Sequence, residues 1–297
     1  MSLKSVFSTC HPAVNFGWFC AVIGIGIFLI HPVFLTIAVL ASICYALLLG
    51  GKGTLKFIAG FLLPMILVVT VVNALVNPRG STVLLFTEYS QITMEAGIYG
   101  LTTGLMLATI LLWFSCYNRV MTSDKFMYLF GKLIPAVSLI FSMVMRFVPN
   151  FKMQIKKISE AQRCIGRDVT NGRVRDKIHH GILIVSIMFT WALENAIDSA
   201  DSMRSRGYGL KNRSTFSIFR FDRRDLSAAV LLVLVAGIVL AGMALGKCSM
   251  EFYPQIVMAD FDWFSAVVYG AYGILCFFPV LMEVKEVITW KRLQSKI

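Results

Sequence analysis

Charged residues are scarce in this chain. Asp, Glu, Lys and Arg make up 15% of its 297 residues, against 57% hydrophobic. Soluble domains carry about a quarter charged residues, so a water-soluble globule is excluded and an integral membrane protein is indicated. Paired cysteines are also missing. The seven Cys, at 10, 20, 44, 116, 164, 248 and 276, are scattered, sit mostly in apolar runs and form no Cys-x-x-Cys. Buried thiols behave as small hydrophobes, so neither a disulfide framework nor a metal site is expected. The four His are dispersed, and the adjacent pair His179-His180 reads as a solvated turn ahead of a helix. No HExxH, GxSxG or paired-His arrangement is present, which leaves a membrane enzyme without a clustered nucleophile, base or metal set. Gly50-Gly51-Lys52-Gly53 resembles a phosphate cradle in composition alone. A Walker A motif would need Gly where Ala46 stands and Ser or Thr where Gly53 stands, so the chain is not expected to hydrolyse ATP.

What the chain has instead is a series of apolar runs of the roughly 20 residues that a bilayer span requires. Phe16–Ile30 and Val33–Leu49 flank the tight turn at His31-Pro32 and read as a helical hairpin that stays in the membrane, not as a signal peptide. Further spans are expected at Phe57–Val76, with Pro64 inside, at Gly97–Tyr117, at Leu226–Leu245 and at Trp263–Met282. Ala96, Gly100, Gly104 and Ala108 recur every four residues and present a small-residue face for close approach of another helix. Gly242 and Gly246 form a second small pair, and Trp263, Tyr269 and Trp290 are candidate interfacial anchors.

The net charge of +12 would point to nucleic acid in a soluble protein. Here it follows the positive-inside rule, because sixteen of the 28 basic residues fall between Arg146 and Arg224. The loop holding Arg79, Glu88 and Glu95, and the loop Lys247–Asp262 with Glu251 and Asp260, are poor in basic residues and are expected outside. Arg119, Lys125 and Lys132, the basic segment Leu210–Asp225, and the tail with Lys285, Lys291, Arg292 and Lys296 are expected inside. Both termini are then cytoplasmic, and the sequon Asn212-Arg213-Ser214 is a chance match. No aromatic-interleaved basic stripe supports nucleic-acid binding.

The rest of the chain is organised around the stretch from about Leu133 to Gly209, which holds two long helical patterns. The first opens apolar, from Ile134 to Met145, turns basic at Lys152, Lys156, Lys157 and Arg163, and stops at Gly166. Phe151, Ile155, Ile158, Ala161 and Ile165 give it an apolar stripe, and Arg146 stands where its stem can snorkel toward water. Asn171-Gly172 reads as the solvated connection. The second opens at Ile182, is apolar to Trp191, and carries Glu194, Asp198 and Asp201 on one face before ending in Met203-Arg204-Ser205-Arg206-Gly207-Tyr208-Gly209. Arg near a helix C-terminus followed by Gly is ordinary helix termination. It is equally what a rod needs to press a guanidinium into a carboxylate-lined groove of a partner.

These residues resemble a known family: the transmembrane T component of energy-coupling factor transporters, which includes the CbiQ-like subunits of cobalt systems. His11-Pro12-Ala13-Val14 looks like the family's opening, and Met145-Arg146-Phe147-Val148-Pro149 resembles its L-R-F-x-P element. Glu160-Ala161-Gln162-Arg163-Cys164-Ile165-Gly166 falls on the first A-R-G signature, and Met203–Gly209 on the second, commonly M-E-A-R-G-Y-G. The resemblance implies a non-catalytic scaffold in a prokaryotic plasma membrane. It joins two ABC-type ATPases, which hold ATP-Mg, to a small substrate-binding membrane subunit for vitamin or metal-ion import. The chain itself would bind no cofactor and no metal. The implied ATPase-docking residues are Ser205, Arg206 and Gly207 at the second tip and Cys164, Ile165 and Gly166 at the first, with Arg163 and Arg167 flanking; Arg146, Pro149, Glu194 and Asp198 would support the helices. The sequence departs from the pattern at the first tip, where Cys164 and Ile165 replace Ala and Arg.

The expected architecture is therefore all-α: about six membrane helices and a long cytoplasmic coupling-helix hairpin. Residues 1–120 hold membrane helices 1–4, residues 121–225 the coupling helices, and residues 226–297 helices 5–6 and the tail. The competing reading is a self-contained ion-coupled transporter that uses the acidic face Glu194, Asp198 and Asp201. It would call for inverted repeats, which the sequence does not display.

Overall fold

The computed structural model describes residues 5–78, 80–86, 91–131, 135–167, 169, 173–208, 219–253, 257–258 and 262–294. Expectations resting on Arg79, Glu88, Lys132–Ile134, Asn171, Gly172, the 209–218 segment (with its sequon), Asp260 and Lys296 lie outside these residues. The chain divides into two compact units, one of residues 1–126 with 219–297 and the other of residues 127–218.

The first unit is a helical bundle. A one-turn helix α1 (Val6–Thr9) leads into α2 (Pro12–Phe28) and α3 (Pro32–Gly50). Both longer helices begin with the same device: Pro at the first position, where no backbone donor is needed, and a preceding His whose Nδ1 accepts the amide of Ala13 or Val33 at 3.3 Å. His11 is also tied to the far end of the chain, because its backbone N–H donates to Asp225 Oδ1 at 3.1 Å. Asp225 Oδ2 accepts from Asp222 N–H in a capping box that opens α10 (Arg223–Ala244). The His-Pro opening is thus a structural clamp between two helix starts.

Lys52–Val76 is one continuous helical run, in which α4 (Lys52–Phe57) and α5 (Leu63–Val76) flank a π turn at Ile58–Leu62. The π turn absorbs Pro64: the chain slips by one residue just before the position whose donor is missing. Before this run, Gly51 turns the chain at φ +50°, and a Cβ on Gly50 would collide with the Arg119 guanidinium. That guanidinium donates to Thr54 Oγ1 at 3.4 Å, so the Gly-Gly-Lys-Gly stretch is a tight inter-helix turn.

The small-residue face lies on α6 (Met94–Val120), and its partner is α5. A Cβ on Gly100 would come 3.0 Å from the Thr70 backbone, and one on Gly104 would come 3.3 Å from that of Ile66. Gly242 serves α10 in the same way against Val268 of α11 (Trp263–Gln294), whereas Gly246 caps the helix at φ +71°. The core is aromatic. Trp18 meets Phe7 at 5.3 Å and Trp113 at 5.2 Å, both edge-on, and donates its Nε1–H to Leu275 O at 3.1 Å. Lys125, on α7 (Ser123–Gly131), is buried and donates to the carbonyls of Ser8 and Val120. With the amide of Asn15 turned toward it, the ammonium has a third acceptor at 3.2 Å. Burial pushes its pKa below the ordinary lysine range.

The helix that holds the sixth apolar segment runs on past Met282. It continues helical to Gln294, since no Gly or Pro follows Pro279, and Glu283 accepts from the Ser5 hydroxyl and from Phe7 N–H. Trp263 and Trp290 are exposed, whereas Tyr269 packs inward on Phe34 at 4.7 Å. Two short antiparallel ladders, β1–β2 (Val83–Phe86 with Gln91–Thr93) and β3–β4 (Met250–Glu251 with Val257–Met258), lie in segments expected as plain loops.

Among the described residues, six helices are long and apolar enough to cross a membrane: Pro32–Gly50, Lys52–Val76, Met94–Val120, Val174–Ser205, Arg223–Ala244 and Trp263–Gln294. Pro12–Phe28 is equally apolar but has 17 residues, at the lower end of the range that spans. The architecture is the expected all-α membrane protein.

Candidate functional site

The second unit is built on α8 (Pro135–Cys164) and α9 (Val174–Ser205). The latter starts eight residues before the apolar run at Ile182, so His179 and His180 lie in its first turns and not in a connecting turn. Arg175, Asp176 and Lys177 are adequate helix residues, and the apolar run marked only where α9 becomes lipid-compatible. Among the described residues no group of three or more His, Cys, Asp or Glu could hold a metal ion.

The two helices meet where Trp191 of α9 stands edge-on to Phe151 of α8, with ring centroids 5.5 Å apart, and Phe147 stacks on Phe151 at 5.9 Å. From that crossing, each helix runs on for about 20 Å to its C-terminal tip, at 1.5 Å per residue. The N-terminal half of α8 and the C-terminal half of α9 flank a common groove of about 810 Å³. Met143, Arg146 and Pro149 face it from α8, and Asp198, Met203 and Arg206 from the α9 end. The α9 tip therefore lies on the opposite side of the crossing from the α8 tip. Of the implied site residues, the fold brings together Arg146, Pro149, Asp198 and Arg206. Glu194 is exposed one turn earlier on α9 and does not line the groove. Arg163, Cys164, Ile165, Gly166 and Arg167 form a separate exposed tip.

Both tips are closed by the same backbone device. At the end of α8, Gly166 takes φ +79°, its N–H donates to Arg163 O at 3.0 Å, and Arg167 N–H reaches back to Gln162 O at 2.9 Å. At the end of α9, Gly207 takes φ +75°, its N–H donates to Arg204 O at 3.0 Å, and Tyr208 N–H reaches back to Met203 O at 3.1 Å. This is the Schellman arrangement, in which a left-handed residue lets the chain satisfy the last helical carbonyls. Residue by residue, Cys164 corresponds to Ser205, Ile165 to Arg206, Gly166 to Gly207 and Arg167 to Tyr208. The same cap closes α10 at Gly246, so the cap is a general helix ending here, and any specificity of the tips lies in their side chains.

Sequence reasoning missed Tyr208, which lies in the groove lining with Met203. An apolar residue just beyond the cap commonly packs on the residue five positions earlier, so the Met-x-x-x-x-Tyr spacing carried that signal. It also missed the Phe151–Trp191 contact, for which an aromatic on each helix gives no pairing information. The acids Glu194, Asp198 and Asp201 are exposed, and among the described residues they make no ion pair with the basic residues of α8.

Among its described residues the unit has almost no core of its own. Ile184 is the buried hydrophobic of α9, whereas Val185, Phe189, Leu193 and Ile197 on that helix and Val137, Ile140 and Val144 on α8 are exposed. Apolar surface on this scale marks contact with lipid or protein.

Comparison with known proteins supplies the context. The CbiQ family, described as a cobalt transport protein, matches residues 4–217. The chain is 31% identical over 108 residues to the energy-coupling factor transporter transmembrane protein EcfT of Lactobacillus helveticus, covering 36% of this chain and 39% of that protein. It is 33% identical over 106 residues to EcfT 1 of Listeria monocytogenes, covering 35% and 40%. It is 26% identical over 221 residues to EcfT of Listeria innocua, covering 69% and 82%. The matched stretch thus spans about two fifths of the first two relatives and most of the third.

Proposed function

The chain belongs to the CbiQ cobalt transport protein family, and from that membership we propose that it is the transmembrane coupling subunit of an energy-coupling factor uptake transporter. It performs no chemistry. ATP and magnesium are held by two ABC-type ATPase partners, and a separate substrate-binding membrane subunit selects the solute, a metal ion such as cobalt or a vitamin. The chain sits in a prokaryotic plasma membrane with both termini cytoplasmic, as its distribution of basic residues suggests.

The observation that carries the reading is the pair of long helices crossing at Phe151 and Trp191, each ending in an exposed, glycine-capped tip. A rigid rod with a fixed end suits the transmission of a displacement. Arg206, Ser205 and Gly207 dock one ATPase, and Cys164, Ile165 and Gly166, with Arg163 and Arg167, dock the other. Arg146 and Asp198 stand with Arg206 along one groove, where Arg146 adds positive potential toward a carboxylate-bearing partner. Pro149 removes the hydrogen bond that would run to the carbonyl of Met145. Arms pivoting at a crossing convert approach of the ATPases into movement of the exposed apolar faces of α8 and α9, which form the platform for the substrate-binding subunit.

The test is co-purification in detergent with the ATPase subunits expressed alongside, wild type beside Arg206→Glu. Truncating one partner of a buried charge pair costs about 2–5 kcal/mol, and reversing the charge costs no less. The expected result is ATPase recovered with wild type and lost with the variant. Equal recovery with both would remove Arg206 from the interface.

A further inference from the structure

Between the start of α10 and the end of α11 lies a cavity of about 570 Å³ that the proposed coupling does not use. Its wall changes character along the helices. Leu231, Phe278 and Met282 line the part beside the apolar runs, and Arg224, Lys285 and Trp290 line the part where those runs give way to charge. A second groove of about 500 Å³ follows another flank of α10, with Arg223 at its head and Leu226, Val230 and Leu234 along it. Ser227 and Leu231 border both, so they form a ridge between two apolar channels that share one cationic end.

The charge at that end is unbalanced. Arg224 Nη2 donates to Thr9 Oγ1 at 3.0 Å, which holds the guanidinium at the rim. Lys285 is exposed, and among the described residues neither cation forms an ion pair. Glu286 is the carboxylate of the lining, and its Oε1 accepts the Trp290 Nε1–H at 3.4 Å. The neighbouring carboxylates are occupied elsewhere: Asp225 accepts the amides of His11 and Asp222, and Glu283 accepts the Ser5 hydroxyl and the Phe7 amide. Two cations thus face one carboxylate at the head of a cavity lined otherwise mainly by apolar side chains. The depth is also telling. From Arg224 to Leu234 the helix rises about 15 Å, which matches one leaflet's half of the roughly 30 Å hydrocarbon layer.

We infer that this is a binding site for an anionic diacyl phospholipid of the leaflet at this end of the bundle. Its negatively charged headgroup pairs with Arg224 and Lys285. Its two acyl chains descend on either side of the Ser227–Leu231 ridge, and Trp290 lies at headgroup level, where indoles are favoured. A zwitterionic headgroup would bring a further cation to a site that already has one in excess. The inference needs α10 and α11 to span the bilayer and is independent of ATPase docking.

The full chain, purified in detergent, is titrated with phosphatidylglycerol or with phosphatidylcholine of the same acyl chains, and retained lipid is counted by native mass spectrometry. Phosphatidylglycerol should be retained over phosphatidylcholine by about tenfold or more. Arg224→Gln with Lys285→Gln should abolish that preference, whereas Lys152→Gln with Lys157→Gln, which removes two exposed cations of α8, should leave it. Phosphatidylglycerol with short acyl chains should be retained about tenfold less or worse. Lys285→Glu alone keeps the bond from Arg224 to Thr9, so it decides the matter if the double variant fails to fold, and it too should lower retention by about tenfold. Equal retention of the two lipids, unchanged phosphatidylglycerol retention in Lys285→Glu, or equal retention of the short-chain lipid overturns the inference. A dimer that forms in place of the lipid adduct would assign the groove to a second copy of the chain and overturn it as well.

Discussion

Arg206 is the residue on which the proposed docking turns. It is exposed, it borders a groove with Arg146, and Gly207 fixes the direction of the chain directly after it. The glycines at both tips are accessible to a separate test. Because the φ of Gly166 is +79° and a Cβ there would touch nothing, Gly166→Ala carries a backbone penalty alone, roughly 1–2 kcal/mol. Exchange of the Arg167 amide should accelerate by about tenfold or more, with the global unfolding temperature unchanged. Slower or unaltered exchange would show that the cap is not formed. At Lys125 the reverse applies. Lys125→Met leaves the Ser8 and Val120 carbonyls without their donor and should lower stability by about 1–3 kcal/mol in detergent melts. At this scale the sequence was informative where a residue type has one physical use, as with Gly at a cap or Pro after a His. It was uninformative where the use depends on a distant partner, as for Asp225 beneath His11.

Among the elements, the helices were legible as apolar runs and their ends were not. Hydropathy marks the part of a helix that lipid tolerates, so it located the middle of α9 and missed its first eight residues, and in α11 it marked the apolar part to Met282 while saying nothing of the charged turns that carry the helix on to Gln294. The ladders β1–β2 and β3–β4 escaped because strands this short carry no readable alternation. The small-residue face of α6 was legible in full, since four-residue spacing is itself the geometry, but only the fold names α5 as its partner. Gly100→Val should part α5 from α6 and lower stability by about 1–3 kcal/mol, because the added atoms meet the Thr70 backbone. Gly97→Val, with nothing within 4 Å, is the matched control. Equal thermal shifts for the two would refute the close approach.

For the whole molecule, one unit buries an aromatic core while the other exposes most of its apolar surface. A unit that cannot bury its own faces is stable only against something else, and the groove, the crossing and the two tips together describe what that partner must offer. The charge pattern adds a sidedness. With Cys164 replaced by Ser, a membrane-impermeant maleimide should label Ser249→Cys from outside the cell, and label Ser205→Cys only after permeabilisation. Labelling of both from outside would invert the topology.

The central claim is that this chain transmits work and does not itself transport. The most direct measurement is solute uptake into liposomes containing either the chain alone or the chain with the proposed ATPases and substrate-binding subunit, with and without ATP and with and without an ion gradient. The account predicts uptake by the full assembly only, dependent on ATP and abolished by Arg206→Glu. Gradient-driven uptake by the chain alone, sensitive to Glu194, Asp198 or Asp201, would contradict it.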